Sequence, residues 1–261
     1  MSTTPQGMPP STMDPHVAYV LRHADDNLVL AQRLGEWISR APELEEDIAL
    51  GNIGLDHLGQ ARALLTHAGA LENAGRGEDD LAMWRDERGF SNLLLVEQPN
   101  GDFAHTMARQ LFFDAYQLEL WTGMTSSTDP TLSGIAGKAV METRYHLRHS
   151  STWVVRLGDG TDESRERMQA GVDHLWQFVD EMFVADAVDE EASRCGWGPD
   201  PAALRAGWDQ AVSDVLAEAT ITLPDGGGQR SGGRAGFHTE PLGHLLAEMQ
   251  WLARGHPGAT W

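Results

Sequence analysis

Cysteine is nearly absent from this sequence, and its scarcity excludes two kinds of site. Cys195 is the only cysteine, so the chain can form neither an internal disulfide nor a zinc cluster built on cysteine ligands. Proteins that work in a reducing compartment typically have such a composition. We therefore expect a cytoplasmic location.

Long apolar runs are also missing. No window reaches the roughly 18 consecutive apolar residues that a membrane span requires. The stretch from Ser2 to Met13 is rich in Pro, Ser and Thr, and it has neither the basic start nor the apolar core of a signal peptide. We predict a disordered tail over residues 1–14 and no association with a membrane.

Basic residues are few compared with acidic ones. The chain has 19 Lys and Arg against 39 Asp and Glu, which gives a formal net charge of -20. A surface of that sign repels phosphate backbones and anionic lipids. The composition therefore argues against nucleic acid as a partner.

Helical periodicity is what the sequence does contain. Start signals, in which a capping side chain precedes a proline or a helical run, stand at Asp14-Pro15, Asp102, Asp129-Pro130 and Asp200-Pro201. Apolar residues recur at helical spacing after these start signals, as they do on the buried face of a helix. The apolar stripes of the first four predicted helices contain Val17, Leu21, Ala24 and Leu28, then Leu44, Ile48, Leu55, Leu58 and Leu65, then Phe103, Met107, Leu111 and Trp121, and finally Leu132, Ile135 and Ala139.

Additional helices follow toward the C-terminus. A fifth carries Met168, Val172, Leu175, Val179 and Met182, a sixth starts at Asp200-Pro201, and a short one surrounds Leu246. Between the last two, the Gly-rich stretch 225–236 is too poor in apolar residues to pack, and we expect a mobile loop. Because neither a repeat nor a βαβ alternation occurs, we predict an all-α bundle in one domain, 15–261.

Polar residues interrupt the apolar stripes. Burying them without partners would cost roughly several kcal/mol, so their positions need an explanation. One inward acid on each of four helices is the arrangement of di-iron carboxylate bundles. The residues concerned are Asp25, Asp56, Asp114, Glu142 and His146.

The di-iron pattern is broken on the second helix. In such bundles a glutamate stands three residues before a histidine, because positions i and i+3 share a helix face. The sequence reads Asp56-x-x-Gly59, so the imidazole is missing. His57 is predicted to point about 100° away from this face.

The fourth helix breaks the pattern differently. It reads Thr143-x-x-His146, with Glu142 one position early. Three interpretations stay open: a metal-free polar network descended from a metal site, a working metal site, or ordinary surface residues whose helix register is misjudged. They apply to Asp25, Asp56, Asp114, Glu142 and His146 as a group, while Gly59 and Thr143 occupy the places of a histidine and a glutamate.

Five long segments carry a resemblance to a known family. They are LVLAQRLGEW from Leu28, APELEEDIALGNIGLDHLGQARALL from Ala41, RDERGFSNLLLVEQPNGDFAHTMARQ from Arg85, ETRYHLRHS from Glu142 and GFHTEPLGHLLAEMQWL from Gly236. On these segments the chain resembles the C subunits of ring-1,2-phenylacetyl-CoA epoxidases, from about Tyr19 to Trp261.

The resemblance implies a ferritin-like fold and a place in bacterial aerobic phenylacetate degradation. In that family the A subunit holds the di-iron centre and binds phenylacetyl-CoA. A reductase subunit delivers electrons from NADPH, a small B subunit assists assembly, and the C subunit pairs with A. The resemblance therefore implies a structural subunit that holds no cofactor or metal of its own.

Two other functions remain as alternatives. The chain would be an active di-iron oxygenase or ferroxidase if Asp56, Asp114, Glu142 and His146 formed an unusual ligand set. It would be a self-associating ferritin-like scaffold if no oxygenase accompanied it. The iron content of the purified protein tests whether it is a di-iron enzyme. The neighbouring genes test whether it is an independent scaffold, since a reductase gene and a coenzyme A ligase gene beside it would contradict that alternative.

Overall fold

The computed structural model describes residues 13–224, 226 and 229–259. Every regular element of these residues is helical, and the predicted all-α, ferritin-like helical bundle is confirmed. The proposed tail at 1–14 lies almost entirely outside the described residues. Within them, no helix combines the length and the apolar composition that a membrane crossing requires.

The described part of the chain forms nine α-helices and several short 3-10 turns. The helices are α1 (Pro15–Gly35), α2 (Leu44–Glu72), α3 (Glu78–Met83), α4 (Phe103–Met124), α5 (Pro130–Gly158), α6 (Asp162–Leu175), α7 (Ala187–Cys195), α8 (Pro201–Glu218) and α9 (Glu240–Gly255). The 3-10 turns are Glu87–Gly89, Trp176–Phe178, Asp180–Phe183 and Gly233–Ala235.

Aspartate caps fix the helix starts that the sequence predicts. The Asp14 carboxylate accepts a hydrogen bond from the backbone N of His16 at 2.9 Å, and Asp102 does the same for His105 at 2.9 Å. Asp129 and Asp200 cap α5 and α8 in the same way. Each cap satisfies backbone donors that the first turn of a helix leaves unpaired.

Two stretches differ from the prediction. The predicted fifth helix ends as α6 at Leu175, and Val179 and Met182 lie in or beside the 3-10 turns that follow. Bulky aromatic residues with modest helix propensity begin this break. The sequence analysis missed α7 because its buried residues are only Asp189 and Ala192, which is too little for an apolar stripe.

The helices group into two compact units. The first consists of the described residues up to Ile38, of Ile48–Gln98 and of the described residues from Gly232 onward. The second consists of Ser39–Asp47 and Pro99–Ser231. The prediction of a single domain over 15–261 stays a prediction.

In the first unit, α1 and α2 approach each other closely at a glycine. A Cβ placed on Gly54 would lie 3.4 Å from the Cβ of Leu34. In the same unit α9 packs on α3, and the amide of Gln250 donates to the carbonyl oxygens of Ala82 and Arg85, both at 3.0 Å.

Part of the Gly-rich stretch also packs in the first unit. Gly233 is buried, and a Cβ at this position would lie 2.1 Å from the carbonyl oxygen of Asn92. The next residue, Arg234, bonds the carboxylate of Asp26 on α1 at 2.8 Å. The prediction that none of 225–236 packs is therefore wrong for this end of it, because a buried acid holds the backbone in place. Residues 225, 227 and 228 lie outside the described part.

In the second unit, α4 is the central helix and contacts α5, α6 and α8. Of its 22 residues, 16 are buried. The indole N–H of Trp208 on α8 donates to the carbonyl oxygen of Phe112 at 2.8 Å, which fixes the position of α8 along α4.

The faces of α2 differ from the predicted ones. Leu44, Ile48 and Leu55 were predicted to lie in a core stripe, yet their exposed fractions are 72%, 56% and 64%. The buried face consists instead of Leu50, Ile53, Gly54, His57, Gln60, Ala61, Leu64, Leu65, Ala68 and Gly69. Apolar residues occupy both faces of this helix, so periodicity alone selects the wrong one.

Two glycines of α2 provide a matched test of its orientation. We predict that Gly54→Glu lowers the free energy of unfolding by about 1–3 kcal/mol or more, because the side chain meets Leu34. Gly59→Glu should be neutral or raise it by up to about 1 kcal/mol, since nothing lies within 4 Å of a Cβ there. Both variants add one negative charge to one helix. Equal effects in urea unfolding would contradict the orientation.

Candidate functional site

The buried histidine of α2 is His57, one residue away from the predicted register. Its side chain is 0% exposed, whereas Gly59 is exposed and Asp56 is half-buried. The predictions that His57 points away and that Gly59 takes the place of an inward histidine are therefore wrong. Because α2 turns its other face inward, the residue three positions before the buried histidine is Gly54.

An asparagine of α1 orients the His57 ring. The Oδ1 of Asn27 lies 2.8 Å from the Nδ1 of His57, and the amide nitrogen of Asn27 donates to the carbonyl oxygen of His23 at 2.8 Å. Since an amide oxygen only accepts, Nδ1 carries the proton in this contact. Nε2 is then the nitrogen that the neutral ring offers as an acceptor.

On α5, the structure buries Thr143 and His146 on one face, together with Ser150. Glu142, expected to face inward one position early, instead forms an ion pair with Lys138 at 3.0 Å. The Lys138 side chain is 75% exposed and that of Glu142 is 15% exposed, so Glu142 lies at the boundary between the buried and the exposed face of the helix. The residue three positions before His146 is thus a hydroxyl group, Thr143.

Asp114 is the buried carboxyl group of α4. Its Oδ2 accepts a hydrogen bond from the hydroxyl of Ser150 on α5 at 2.8 Å. Burial raises the pKa of Asp114 to about 8, and the Ser150 hydrogen bond and the charge of Arg109 offset this only in part. The carboxyl group is therefore mostly protonated at neutral pH.

Asp25, on α1, is bound by an arginine. The guanidinium of Arg85 contacts both oxygens, with Nη1 at 2.9 Å from Oδ2. The backbone N of Ser91 donates to Oδ2 as well, at 2.9 Å. The two charged side chains are 1% and 0% exposed. Both oxygens of Asp25 are thus already used by protein donors.

The next residue along α1 is neutralised in the same manner. Asp26 accepts from Arg234 at 2.8 Å and from the backbone N of Leu93 at 2.7 Å. Burial alone would raise the pKa of Asp26, but the charge of Arg234 and the bond to His23 lower it. The carboxylate therefore stays ionised inside the unit.

A third buried carboxylate, Glu97, binds the start of α9. It accepts from the backbone N and hydroxyl of Thr239 at 2.6 and 2.7 Å, and it lies 2.8 Å from the Nδ1 of His238. Burial would lower the pKa of His238, but the bond to Glu97 raises it above its usual value. His238 and Glu97 therefore form an ion pair, which binds the residues before α9 to the segment that precedes α4.

These donors do not fit a di-iron carboxylate centre. Such a centre takes a glutamate from each of two helices and a Glu-x-x-His pair from each of two others. Here Gly54 and Thr143 stand where the two paired glutamates would be, although both histidines are present. Of the two acids on α1 and α4, Asp25 has both oxygens bound by protein donors, and Asp114 is the one carboxyl group of this set that is left. Too few free carboxylates remain to balance the charge of two iron ions.

Sequence reasoning missed the partners of the buried acids. Arg85, Glu97, Arg234 and His238 all lie in or near segments that carry the family resemblance, RDERGFSNLLLVEQ and GFHTEP. Their contacts join residues from 60 to 208 positions apart. Helical periodicity gives no signal for such pairs, because most of them lie outside helices.

Comparisons with known proteins match the whole chain. The family model described as "Phenylacetic acid catabolic protein" matches residues 1–261. The chain is also 53% identical over 250 residues to the C subunit of the 1,2-phenylacetyl-CoA epoxidase of Escherichia coli (strain K12). That alignment covers 95% of this chain and 100% of the E. coli protein.

The Asp25–Arg85 pair yields a prediction about stability. Arg85→Met should lower the free energy of unfolding by about 3–5 kcal/mol, because it leaves the Asp25 carboxylate buried without its counter-ion. The double variant Asp25→Leu/Arg85→Met should lose clearly less than the sum of the single variants. The measurement is a double-mutant cycle by urea unfolding. Strict additivity would show that the two groups do not depend on each other.

The raised pKa of Asp114 predicts a pH dependence. The folded state holds this proton up to a pH of about 8, whereas the unfolded chain releases it near 3.8. The folded state therefore binds more protons between these values, and its stability falls as the pH rises through them. We expect Asp114→Asn, which keeps an acceptor for Ser150, to gain stability relative to the wild type from pH 5 to pH 8. Each unit by which the pKa differs between the folded and the unfolded state corresponds to about 1.4 kcal/mol in the free energy of unfolding.

Parallel urea-unfolding curves at several pH values measure this difference, with Glu163→Gln, at the exposed ion pair with Arg167, as the control. A constant difference between Asp114→Asn and the wild type would mean that Asp114 titrates normally.

Proposed function

The chain belongs to the phenylacetic acid catabolic protein family, and from this membership we propose that it is the structural subunit of a 1,2-phenylacetyl-CoA epoxidase. In this proposal the chain pairs with a catalytic A subunit, which holds the di-iron centre, and stabilises it without carrying out chemistry. The E. coli relative, which is 53% identical, is named as the C subunit of that enzyme. A reductase that uses NADPH and a small B subunit would complete a cytoplasmic complex.

The observation that carries the non-catalytic role is the loss of both paired glutamates. Gly54 and Thr143 cannot supply carboxylate ligands, and Arg85 supplies the positive charge that Asp25 requires. Iron in oxygenases of this type depends on several carboxylates for charge balance and for open coordination positions. The chain therefore keeps the helical scaffold and two histidines of such a centre, without the ligands that hold its iron.

Exposed apolar side chains on α2 support the pairing. Leu44, Ile48 and Leu55 recur at spacings of four and seven residues, so they lie on one side of the helix. Large aliphatic residues that are more than half exposed in a row are typical of a face that a partner covers. The relative's name, which makes it one subunit of an enzyme, supplies the reason for a partner.

The proposal predicts the result of a reconstitution. This chain mixed with the reductase alone should not consume phenylacetyl-CoA, and it should carry no stoichiometric iron. The chain together with the A subunit and the reductase should form the epoxide. The measurements are product analysis by mass spectrometry and iron per chain by elemental analysis. The control mixture omits this chain, and the A subunit with the reductase alone should form little epoxide.

Two outcomes would contradict the proposal. Turnover by this chain and the reductase, with bound iron, would show an active di-iron oxygenase with a non-standard ligand set. Full activity of the A subunit and reductase without this chain would show that no supporting subunit is needed.

A further inference from the structure

The outer face of α5 has the opposite charge to the rest of the chain. Counting 100° per residue, a strip about 120° wide runs along this helix, and its well-exposed positions hold four cations and no acid. The chain as a whole has a net charge of -20. We call this strip the basic stripe, and its large side chains are Lys138, Met141, Arg144, Tyr145, Arg148 and Arg156.

Three arginines of the basic stripe lack acidic partners among the described residues. The guanidinium of Arg144 contacts the sulfur of Met141 at 3.8 Å, Arg148 lies 5.4 Å from the ring centre of Tyr145, and Arg156 lies 5.3 Å from that of Trp153. Only Lys138 is paired, with Glu142.

Four other surface arginines of the same unit behave differently. Each forms an ion pair with an acid within four positions in the sequence: Arg165 with Asp162, Arg167 with Glu163, Arg194 with Glu191 and Arg205 with Asp209. An acidic chain offers many partners, so three unpaired arginines in a row on one helix face are a specific feature of α5.

Apolar groups lie within the same stripe. Met141 is 65% exposed and Tyr145 is 45% exposed, and both lie between the cations. Gly134 and Gly137 extend the stripe toward the start of α5, and a Cβ at either position would meet nothing within 4 Å. The stripe thus combines apolar anchors, unpaired cations and room for close approach, which are features of a protein interface.

The positive charge of the basic stripe limits which kinds of molecule can bind there. A second copy of this chain, docked symmetrically through α5, would place cations against cations. A head-to-tail contact between copies would build a ring where the rotation closes and a filament where it does not. Nucleic acid and anionic lipid are repelled by the strongly negative remainder of the surface. The relative is named as one subunit of an enzyme, which favours a different protein with an acidic, partly apolar face as the occupant.

We propose that the basic stripe of α5 binds an acidic helical face of the catalytic partner subunit. This inference rests on the proposed function, which supplies that partner, and it adds where the partner binds and by what chemistry. Carboxylates of the partner would pair with Arg144, Arg148 and Arg156, while Met141 and Tyr145 would be buried between them.

The test measures the affinity of this chain for the purified A subunit at two salt concentrations. We expect Arg144→Glu/Arg148→Glu to raise Kd by about tenfold or more at low salt, chiefly through slower association. Wild-type binding should weaken between roughly 50 mM and roughly 500 mM salt, and the variant should show less of this dependence. The matched control, Arg165→Glu/Arg194→Glu, makes the same change of net charge off the stripe, and its Kd should stay within about twofold of the wild type.

A second variant tests the apolar part of the stripe. Met141→Glu removes no ion pair and should also weaken binding, while circular dichroism and unfolding curves stay as in the wild type. Unchanged affinity in both stripe variants, or an equal loss in the off-stripe control, would overturn the inference.

Other results separate this inference from the proposed function. If the wild-type chain did not bind the A subunit at all, the pairing itself would be wrong, and the stripe proposal with it. If the A subunit bound all variants equally well, only the stripe proposal would fail. If free coenzyme A bound the wild type but not the stripe variants, the stripe would be a phosphate-binding surface instead, and the inference would also fall.

Discussion

The buried contact between Asp25 and Arg85 is the constraint on which the first unit depends. An acid on α1 that faces the interior requires a counter-charge, since an uncompensated buried charge costs about 3–5 kcal/mol. In a metal-binding bundle the ions supply that charge. Here arginines supply it from outside the helices, Arg85 to Asp25 and Arg234 to Asp26. The irregular segments that carry these arginines are consequently ordered and buried parts of the fold.

Much of the fold could be predicted from local signals. The aspartate caps and the proline starts of α1, α5 and α8 depend on a few neighbouring residues, and the inward positions of Thr143 and His146 followed from periodicity. The register of α2 could not be found in this way, because leucines occupy its outer face as well as its inner one. The partners of Asp25 and Glu97 are distant in sequence, so only the folded chain brings them together.

The correction at α2 changes the interpretation of the candidate site. The sequence pattern predicts a missing histidine, at Gly59. The structure places both histidines, His57 and His146, in buried positions, and it is the two paired glutamates that are absent. Because Gly54 allows α1 and α2 to approach closely, the loss of that glutamate is coupled to helix packing. The site and the scaffold are therefore not independent on this helix.

The bond between Arg234 and Asp26 also has a consequence for biosynthesis. The two residues are 208 positions apart, so the ribosome has made most of the chain before the acid on α1 can meet its partner. The second unit is almost continuous in sequence and has all its residues available earlier. Native contacts of the first unit are completed last, and until then Asp26 on α1 lacks the arginine that neutralises it. A nascent chain of this protein thus has a long interval in which its N-terminal helix depends on solvent or on chaperones.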